Sequence, residues 1–337
     1  MDEILALHKL VQKKNLTTGE ASSLLDKIMK GNISPILLSA IFTAIRTKGE
    51  TIDEIFGFIQ TMRRNMVHVN IDNAIDVCGT GGDASNSFNI STAVAFVVAG
   101  TGVKVAKHGN RAASSQCGSA DVLEELGVNI DLMPQQTEKV FKKIGIVFLF
   151  APLYHPALKN VVKIRKELKI RTIFNFLGPF ANPASVKRQL IGVPNEEIAE
   201  KLAEVGSRLK YEHLLIVTSK DGMDEISLST ETFLYEVKNA KIKKSVMSPA
   251  DFGFKKTSKT EFSGGSVREN AIYIREILQG VKGPRRDIVV LNSAFALYVA
   301  GIASGIKQGI QQAEQSIDGG VANSVLRNLR KETQDYE

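Results

Sequence analysis

From Ala74 onward, short apolar runs that stop at glycine or at a polar turn alternate with longer segments of helical period. That alternation limits the fold more than any other feature of the chain. IDVCG, VKVAKHG, VFLFAP, LLIVTS and IVVLNS read as buried strands. Between them ISTAVAFVVAGTG reads as a helix stopping at Gly100 or Gly102, and CGSADVLEELG as another. NSAFALYVAGIASGIKQGIQQAEQSIDGG reads as closing helices. Strands joined through helices must return across one sheet, so the pattern predicts an α/β fold with a mostly parallel central sheet.

The first 65 or so residues read differently. Thr17 and Glu20 have capping-box spacing ahead of ASSLLDKIM, with Gly31 as a stop. Ser34 with Pro35 gives an N-cap followed by proline at the first helical position, and Thr51 with Glu54 repeats the capping box. Ile36, Ala40, Ile41 and Ala44 recur at three- and four-residue steps, which buries one face of a helix. The expected organisation is a small helical domain over residues 1–70 and an α/β domain over 71–154 and 186–337. The basic stretch NVVKIRKELKIRTIFNFLGPFANPA interrupts the alternation, and part of 155–185 is expected to pack on the helical domain.

Composition narrows the class. Of 337 residues 43% are hydrophobic and 23% charged, enough apolar material to exclude a disordered chain. No 18-residue window is wholly apolar, which argues against a membrane span, and MDEILALHKLVQKKN places acid before base, the reverse of a secretory leader. The expected compartment is the cytoplasm. Two cysteines, Cys78 and Cys117, are too few for a disulfide framework and read as small buried thiols. A formal net charge of +7 favours an anionic partner without choosing among a phosphorylated small molecule, nucleic acid and an acidic surface. Lys241, Lys243, Lys244, Lys282, Arg285 and Arg286 lack interleaved aromatics and are expected on solvated loops or helix faces.

Three polar constellations carry the chemistry. Gly79-Thr80-Gly81-Gly82-Asp83 closes a strand, and Asn89-Ile90-Ser91-Thr92 opens the next helix. Glycines admit backbone N–H groups close to a phosphate, and a helix start adds free donors and the positive end of its dipole. The dinucleotide-binding and P-loop spacings are both absent, so the tandem fits a phosphate cradle and a structural turn about equally. Lys107-His108-Gly109-Asn110-Arg111, with Ser114, Ser115 and Ser119 following, sets cations, an imidazole, an amide and hydroxyls on one loop, a donor set suited to a pyrophosphate. Asp221-Gly222-Met223-Asp224-Glu225 follows LLIVTS; adjacent carboxylates suit Mg2+, which takes one or two of them plus substrate oxygens, although such a turn alone is more often just solvated.

Taken in order, GTGGD, NIST, KHGNRAxSSxxGSADxLExLG, RTIFNxLGPxxNP and DGxDEIS resemble the anthranilate phosphoribosyltransferase family over nearly the whole chain. Local departures are Phe180-Ala181 before Asn182, Cys117 before Gly118, and Ser87. The resemblance implies a helical domain hinged to an α/β domain, usually as a homodimer, and transfer of phosphoribose from phosphoribosyl pyrophosphate to anthranilate in tryptophan biosynthesis. It implies that Gly79, Gly82, Asp83, Ser87, Asn89, Ile90, Ser91 and Thr92 hold phosphoribosyl pyrophosphate. Lys107, His108, Gly109, Asn110, Arg111, Ala112, Ala113, Ser114, Ser115 and Ser119 are implied in the same role. Ser91, Asp224 and Glu225 are implied Mg2+ ligands. Gly79, Asn110 and Arg165 are implied anthranilate contacts, with His108 and His155 lining its approach as candidate proton acceptors. Without the resemblance, Arg165 reads as one more cation on a basic helix. Two alternatives stay open: a nucleic-acid-binding relative without transferase activity, and a pyrimidine nucleoside phosphorylase. The intact Asp224-Glu225 pair, Asn110 and Arg165 argue against the first, and the KHGNRA and DGMDEIS segments against the second.

Overall fold

The computed structural model describes residues 1–81, 85–112 and 116–336. Two compact units form, Met1–His68 with Pro152–Pro183, and Val69–Ala151 with Ala184–Glu337. Along the chain come α1 (Glu3–Val11), α2 (Thr18–Met29), α3 (Pro35–Lys48) and α4 (Ile52–Asn65), then β1 (Ala74–Gly79), α5 (Ile90–Gly100), β2 (Lys104–Gly109), α6 (Ser119–Glu125), α7 (Pro134–Ile144) and β3 (Ile146–Phe150). The middle holds α8 (Ala151–Tyr154), α9 (Lys159–Leu168) and α10 (Phe174–Leu177). The rest is β4 (Arg188–Gly192), α11 (Glu196–Arg208), β5 (His213–Ser219), β6 (Thr232–Lys238), β7 (Lys241–Met247), α12 (Val267–Leu278), α13 (Pro284–Ala300), α14 (Ile306–Asp318) and α15 (Val321–Gln334).

In the helical unit the capping signals act as the sequence predicts. Thr17 and Glu20 exchange side-chain-to-backbone bonds at the start of α2, Thr51 and Glu54 do so for α4, and Ser34 caps α3 ahead of Pro35. Each cap satisfies first-turn N–H groups and is worth about 1 kcal/mol. The apolar faces meet around Phe42 and Phe58, whose rings lie 5.2 and 5.9 Å from that of Phe174. The basic segment therefore packs among the N-terminal helices, through α9 and α10.

The larger unit is built on a seven-stranded sheet in the order β3-β2-β1-β4-β5-β6-β7. The first five in that order are parallel and the last two antiparallel, so the fold is α/β with a mostly parallel sheet. Two expectations need correction. IVVLNS is the interior of α13, not a strand: its β-branched run mimics one, but Ile288 to Leu297 is buried at every position, and a helix apolar all round shows no period to read. Lys241, Lys243 and Lys244 lie on the edge strand β7, not on a loop or helix, and cationic side chains there suit a strand that must not pair with another chain. Arg286 is buried, its guanidinium 3.0 Å from both Asp318 carboxylate oxygens. Among the described residues no helix is long and apolar enough to cross a membrane.

Candidate active site

β1 lies between β2 and β4. From it the chain moves outward through β2 to β3, then returns to β4 on the other side. The connections leaving β1 and β4 therefore diverge, and such a switch point opens a crevice beyond the carboxyl ends of the strands. Gly79 and Gly192 pair in register at that edge.

The acidic turn after β5 fills the space those glycines leave. A Cβ on Gly192 would run into the backbone carbonyl of Asp224, and one on Gly79 would run into its carboxylate. Asp224 is buried, and its Oδ2 accepts the Gly81 N–H at 2.8 Å. Gly81 presents that N–H with a φ of +67°, a left-handed conformation that side chains disfavour. On the far side of the turn the Glu225 carbonyl accepts from Ser219 Oγ at 2.7 Å.

Lys107 reaches the same edge from β2. Its ammonium donates to the Val77 carbonyl at 2.6 Å and to Ser91 Oγ at 3.0 Å, in the first turn of α5. Burial pulls this lysine below its ordinary range, opposed by the carboxylates of Asp76, Glu225 and Asp224. A buried ammonium offers an anionic ligand a fixed positive charge, while the carboxylates around it call for a cation to accompany that ligand. No side chain caps α5: the Asn89 amide instead donates to the Cys117 carbonyl at 3.2 Å. Thr80 Oγ1, Asn89 Oδ1 and Thr92 Oγ1 are buried without a hydrogen-bond partner among the described residues. Buried polar atoms are rarely left unpaired, and three between the end of β1 and the first turn of α5 point to a polar ligand that completes them.

The donor set fits Mg2+ arriving on a diphosphate. Among the described residues no group of three or more His, Cys, Asp and Glu side chains gathers to hold a metal. Mg2+ needs no such cage, since it keeps waters and takes one or two carboxylates with substrate oxygens. Asp224 and Glu225 would supply the carboxylates. Ser91 Oγ retains lone-pair capacity beyond its bond to Lys107.

Described residues on either side of 113–115 are tied to α6. Asp121 Oδ2 accepts the N–H groups of Ala112 (2.9 Å) and Gly118 (2.8 Å). Ser119 Oγ donates to the Asn110 carbonyl at 3.3 Å, and a Cβ on Gly109 would collide with that hydroxyl. The Arg111 guanidinium is committed to Glu124 and Asp121, at 2.8 Å from Glu124 Oε1 and 3.2 Å from Asp121 Oδ1. These bonds tie Arg111 to α6. His108 is buried on β2, its backbone N–H 3.2 Å from Asp76 Oδ1. Ser87 forms an isolated bridge with Ser263. Gly82, Asp83, Ala113, Ser114 and Ser115 lie outside the described residues.

Arg165 and His155 belong to the helical unit. Arg165 lies on α9 with its guanidinium 5.9 Å from the centre of the Phe174 ring, and burial lowers its pKa. Among the described residues no carboxylate opposes that burial. His155 is buried, and desolvation pushes its imidazole down to about 4 against an opposing hydrogen bond with the Ala181 backbone. Gly192 left a signal in the sequence, since RQLIG ends in glycine as IDVCG and VKVAKHG do, whereas Ser219 and Asn292 act on backbone and leave no motif.

The whole chain is similar to known proteins. The glycosyl transferase family a/b domain matches residues 71–323, and the helical bundle domain of the same family matches 5–66. An anthranilate phosphoribosyltransferase of Thermoanaerobacter sp. (strain X514) is 48% identical over 326 residues, 96% of each chain. One from Acetivibrio thermocellus is 49% identical over 333 residues, covering 98% of this chain and 96% of that one. Among solved structures, the anthranilate phosphoribosyltransferase of Thermus thermophilus superposes with a TM-score of 0.91 at 35% identity, covering 98% of this chain and 99% of that one. The Saccharomyces cerevisiae enzyme, solved with phosphoribosyl pyrophosphate and Mg, gives 0.90 at 27% identity, covering 99% and 98%.

Proposed function

Because this chain belongs to the anthranilate phosphoribosyltransferase family, we propose that it transfers the phosphoribosyl group of phosphoribosyl pyrophosphate to the amine of anthranilate, releasing pyrophosphate, in tryptophan biosynthesis. The observation that carries the reading is the meeting of Lys107, Ser91 and the Asp224-Glu225 turn at the switch point, beside three unpaired buried oxygens.

In this reading the glycine turn after β1, the start of α5, Lys107 and the loop to Ser119 hold phosphoribosyl pyrophosphate. Asp224, Glu225 and Ser91 would hold Mg2+, which when bound neutralises charge on the diphosphate oxygens. The amine lone pair of anthranilate forms a bond to ribose C1 as the C1–oxygen bond breaks, and that electron pair leaves with pyrophosphate. Charge is the difficulty, because negative charge grows on the departing oxygens while C1 becomes oxocarbenium-like. Lys107 and the N–H groups of α5 offer fixed positive poles to the departing group without reorganising. The guanidinium of Arg165 suits the anthranilate carboxylate, with Gly79 and Asn110 as further contacts. An aromatic amine is already neutral, so no strong base is needed before attack. The nitrogen becomes acidic as its bond to C1 forms, so a weak base suffices to take its proton, and His108 and His155 are the candidates.

The same proposal has the protein act in the cytoplasm as a homodimer. Ile4, Leu5 and Val11 on α1 and Ile36 on α3 are exposed on two helices that pack together, an apolar surface suited to a second copy. The deciding assay uses purified protein, anthranilate, phosphoribosyl pyrophosphate and Mg2+, and follows loss of anthranilate fluorescence. Turnover that EDTA abolishes supports the reading. Phosphorolysis of a pyrimidine nucleoside with no anthranilate consumption would replace it.

A further inference from the structure

The peptide that joins Glu225 to Ile226 is held at both ends by other elements. Its N–H donates to Asn292 Oδ1 on α13 at 3.0 Å, and its carbonyl accepts from Ser219 Oγ at the end of β5 at 2.7 Å. The Asn292 amide nitrogen donates to the Ile226 carbonyl at 2.9 Å and to the Ile288 carbonyl at 2.8 Å. Both of its N–H groups and its oxygen are thereby used. Asn292 is fully buried in a helix otherwise apolar from Ile288 to Leu297 apart from Ser293. Packing alone would favour an apolar residue there, since a buried amide costs stability unless every bond is made.

The acidic turn needs outside support. It belongs to no helix or strand, and neighbouring carboxylates repel each other. Asp221 ties the turn to itself: its carboxylate accepts from the Met223 N–H at 3.2 Å, from Ser227 Oγ at 2.8 Å and from Ser229 Oγ. Those bonds stay within residues 221–229. The bonds from Asn292 and Ser219 connect Glu225 to the scaffold, as the Gly81 N–H connects Asp224.

We propose that Asn292 is a positioning residue for the transfer reaction: from inside α13 it fixes the backbone on either side of Ile226 and so aims the Asp224-Glu225 pair at the carboxyl edge of the sheet. The inference rests on the reading that this pair carries the magnesium diphosphate. Partners that orient metal-binding side chains typically change metal affinity by about 10- to 100-fold when removed.

The test measures equilibrium binding of phosphoribosyl pyrophosphate to the full chain by calorimetry, with Mg2+ and with EDTA, in the absence of anthranilate. Asn292→Asp keeps the shape and the acceptor for the Ile226 N–H but replaces the donor to two carbonyls with an oxygen. It should weaken the Mg2+-dependent part of binding by about 10-fold or more and leave binding in EDTA unchanged. Ser219→Ala, which removes one hydroxyl, should shift the same quantity by a smaller factor and serves if the asparagine variant fails to fold. Leu291→Ala, on the same helix and equally buried, should lower Tm without changing the ratio of the two affinities. Wild-type Mg2+ dependence in a folded Asn292→Asp protein overturns the inference. So does an equal loss in Leu291→Ala, and so does wild-type dependence in Ser219→Ala where only that variant folds. An Asp224→Asn, Glu225→Gln protein run alongside separates the two levels. If it keeps Mg2+-dependent binding, the metal reading itself falls; if it loses that binding while Asn292→Asp does not, only the positioning role falls.

Discussion

Gly192 and Asp224 share a volume that only one of them can fill, because a Cβ at residue 192 would coincide with the Asp224 backbone carbonyl. The end of β4 thus sets how closely the acidic turn approaches β1, although residue 192 carries no chemistry itself.

Gly192→Ala should therefore damage stability and activity together. Overpacking at such a contact costs about 1–3 kcal/mol, and the displaced turn should lower kcat at least about tenfold. Thermal melts and steady-state rates check this. A variant with unchanged Tm and rate would mean that the turn has room to spare.

Arg165→Ala should raise KM for anthranilate about tenfold or more and leave KM for phosphoribosyl pyrophosphate nearly unchanged. Loss of a charged hydrogen-bonding partner costs roughly 1.5–3 kcal/mol, enough for that factor. Arg165→Lys should recover only part of the loss, because an ammonium cannot reproduce the planar fork. An anthranilate KM that does not move would remove Arg165 from acceptor binding.

His155 makes stability depend on pH. Its folded pKa, about 4, lies below the ordinary value of 6.5 because burial disfavours the charged ring. Between those values the unfolded chain binds more protons, so stability is complete above about pH 6.5 and falls as pH drops towards 4. The lost stability is of order roughly 3 kcal/mol. Denaturant titrations of wild type and His155→Asn at pH 7 and pH 4 should diverge by about that amount, with the variant less sensitive to acid. Parallel behaviour would place the titration elsewhere.

Local signals made much of the fold legible. Thr17-Glu20, Ser34-Pro35 and Thr51-Glu54 mark helix starts because capping needs particular side chains at fixed offsets, and each sits where such a cap forms. Glycine-ended apolar runs located β1 and β2 for a similar reason. IVVLNS misled because burial on all sides gives a helix and a buried strand the same composition. β4 escaped because only Leu190 and Ile191 are apolar before its glycine, and β7 because a lysine-rich edge strand has no apolar run; β6, with Phe233-Leu234-Tyr235 and Val237, carried such a run and was passed over. At the site, sequence order could show that Lys107, Ser91 and Glu225 lie near strand ends or helix starts. It could not show that Arg111 turns to Glu124, since that pairing is set by where α6 packs. Nor could it show Asn292 reaching Ile226, which lies 66 residues away.

In the proposed reaction the acidic pair after β5 serves the departing pyrophosphate. The most direct measurement is pyrophosphate release by an Asp224→Asn, Glu225→Gln protein across a Mg2+ titration, at saturating anthranilate and phosphoribosyl pyrophosphate, with folding verified by its melt. The expected result is a rate below about one-hundredth of wild type at every Mg2+ concentration, the scale on which removing electrostatic stabilisation of a transition state acts. A folded double variant that turns over at close to the wild-type rate, with the wild-type response to Mg2+, would contradict the account.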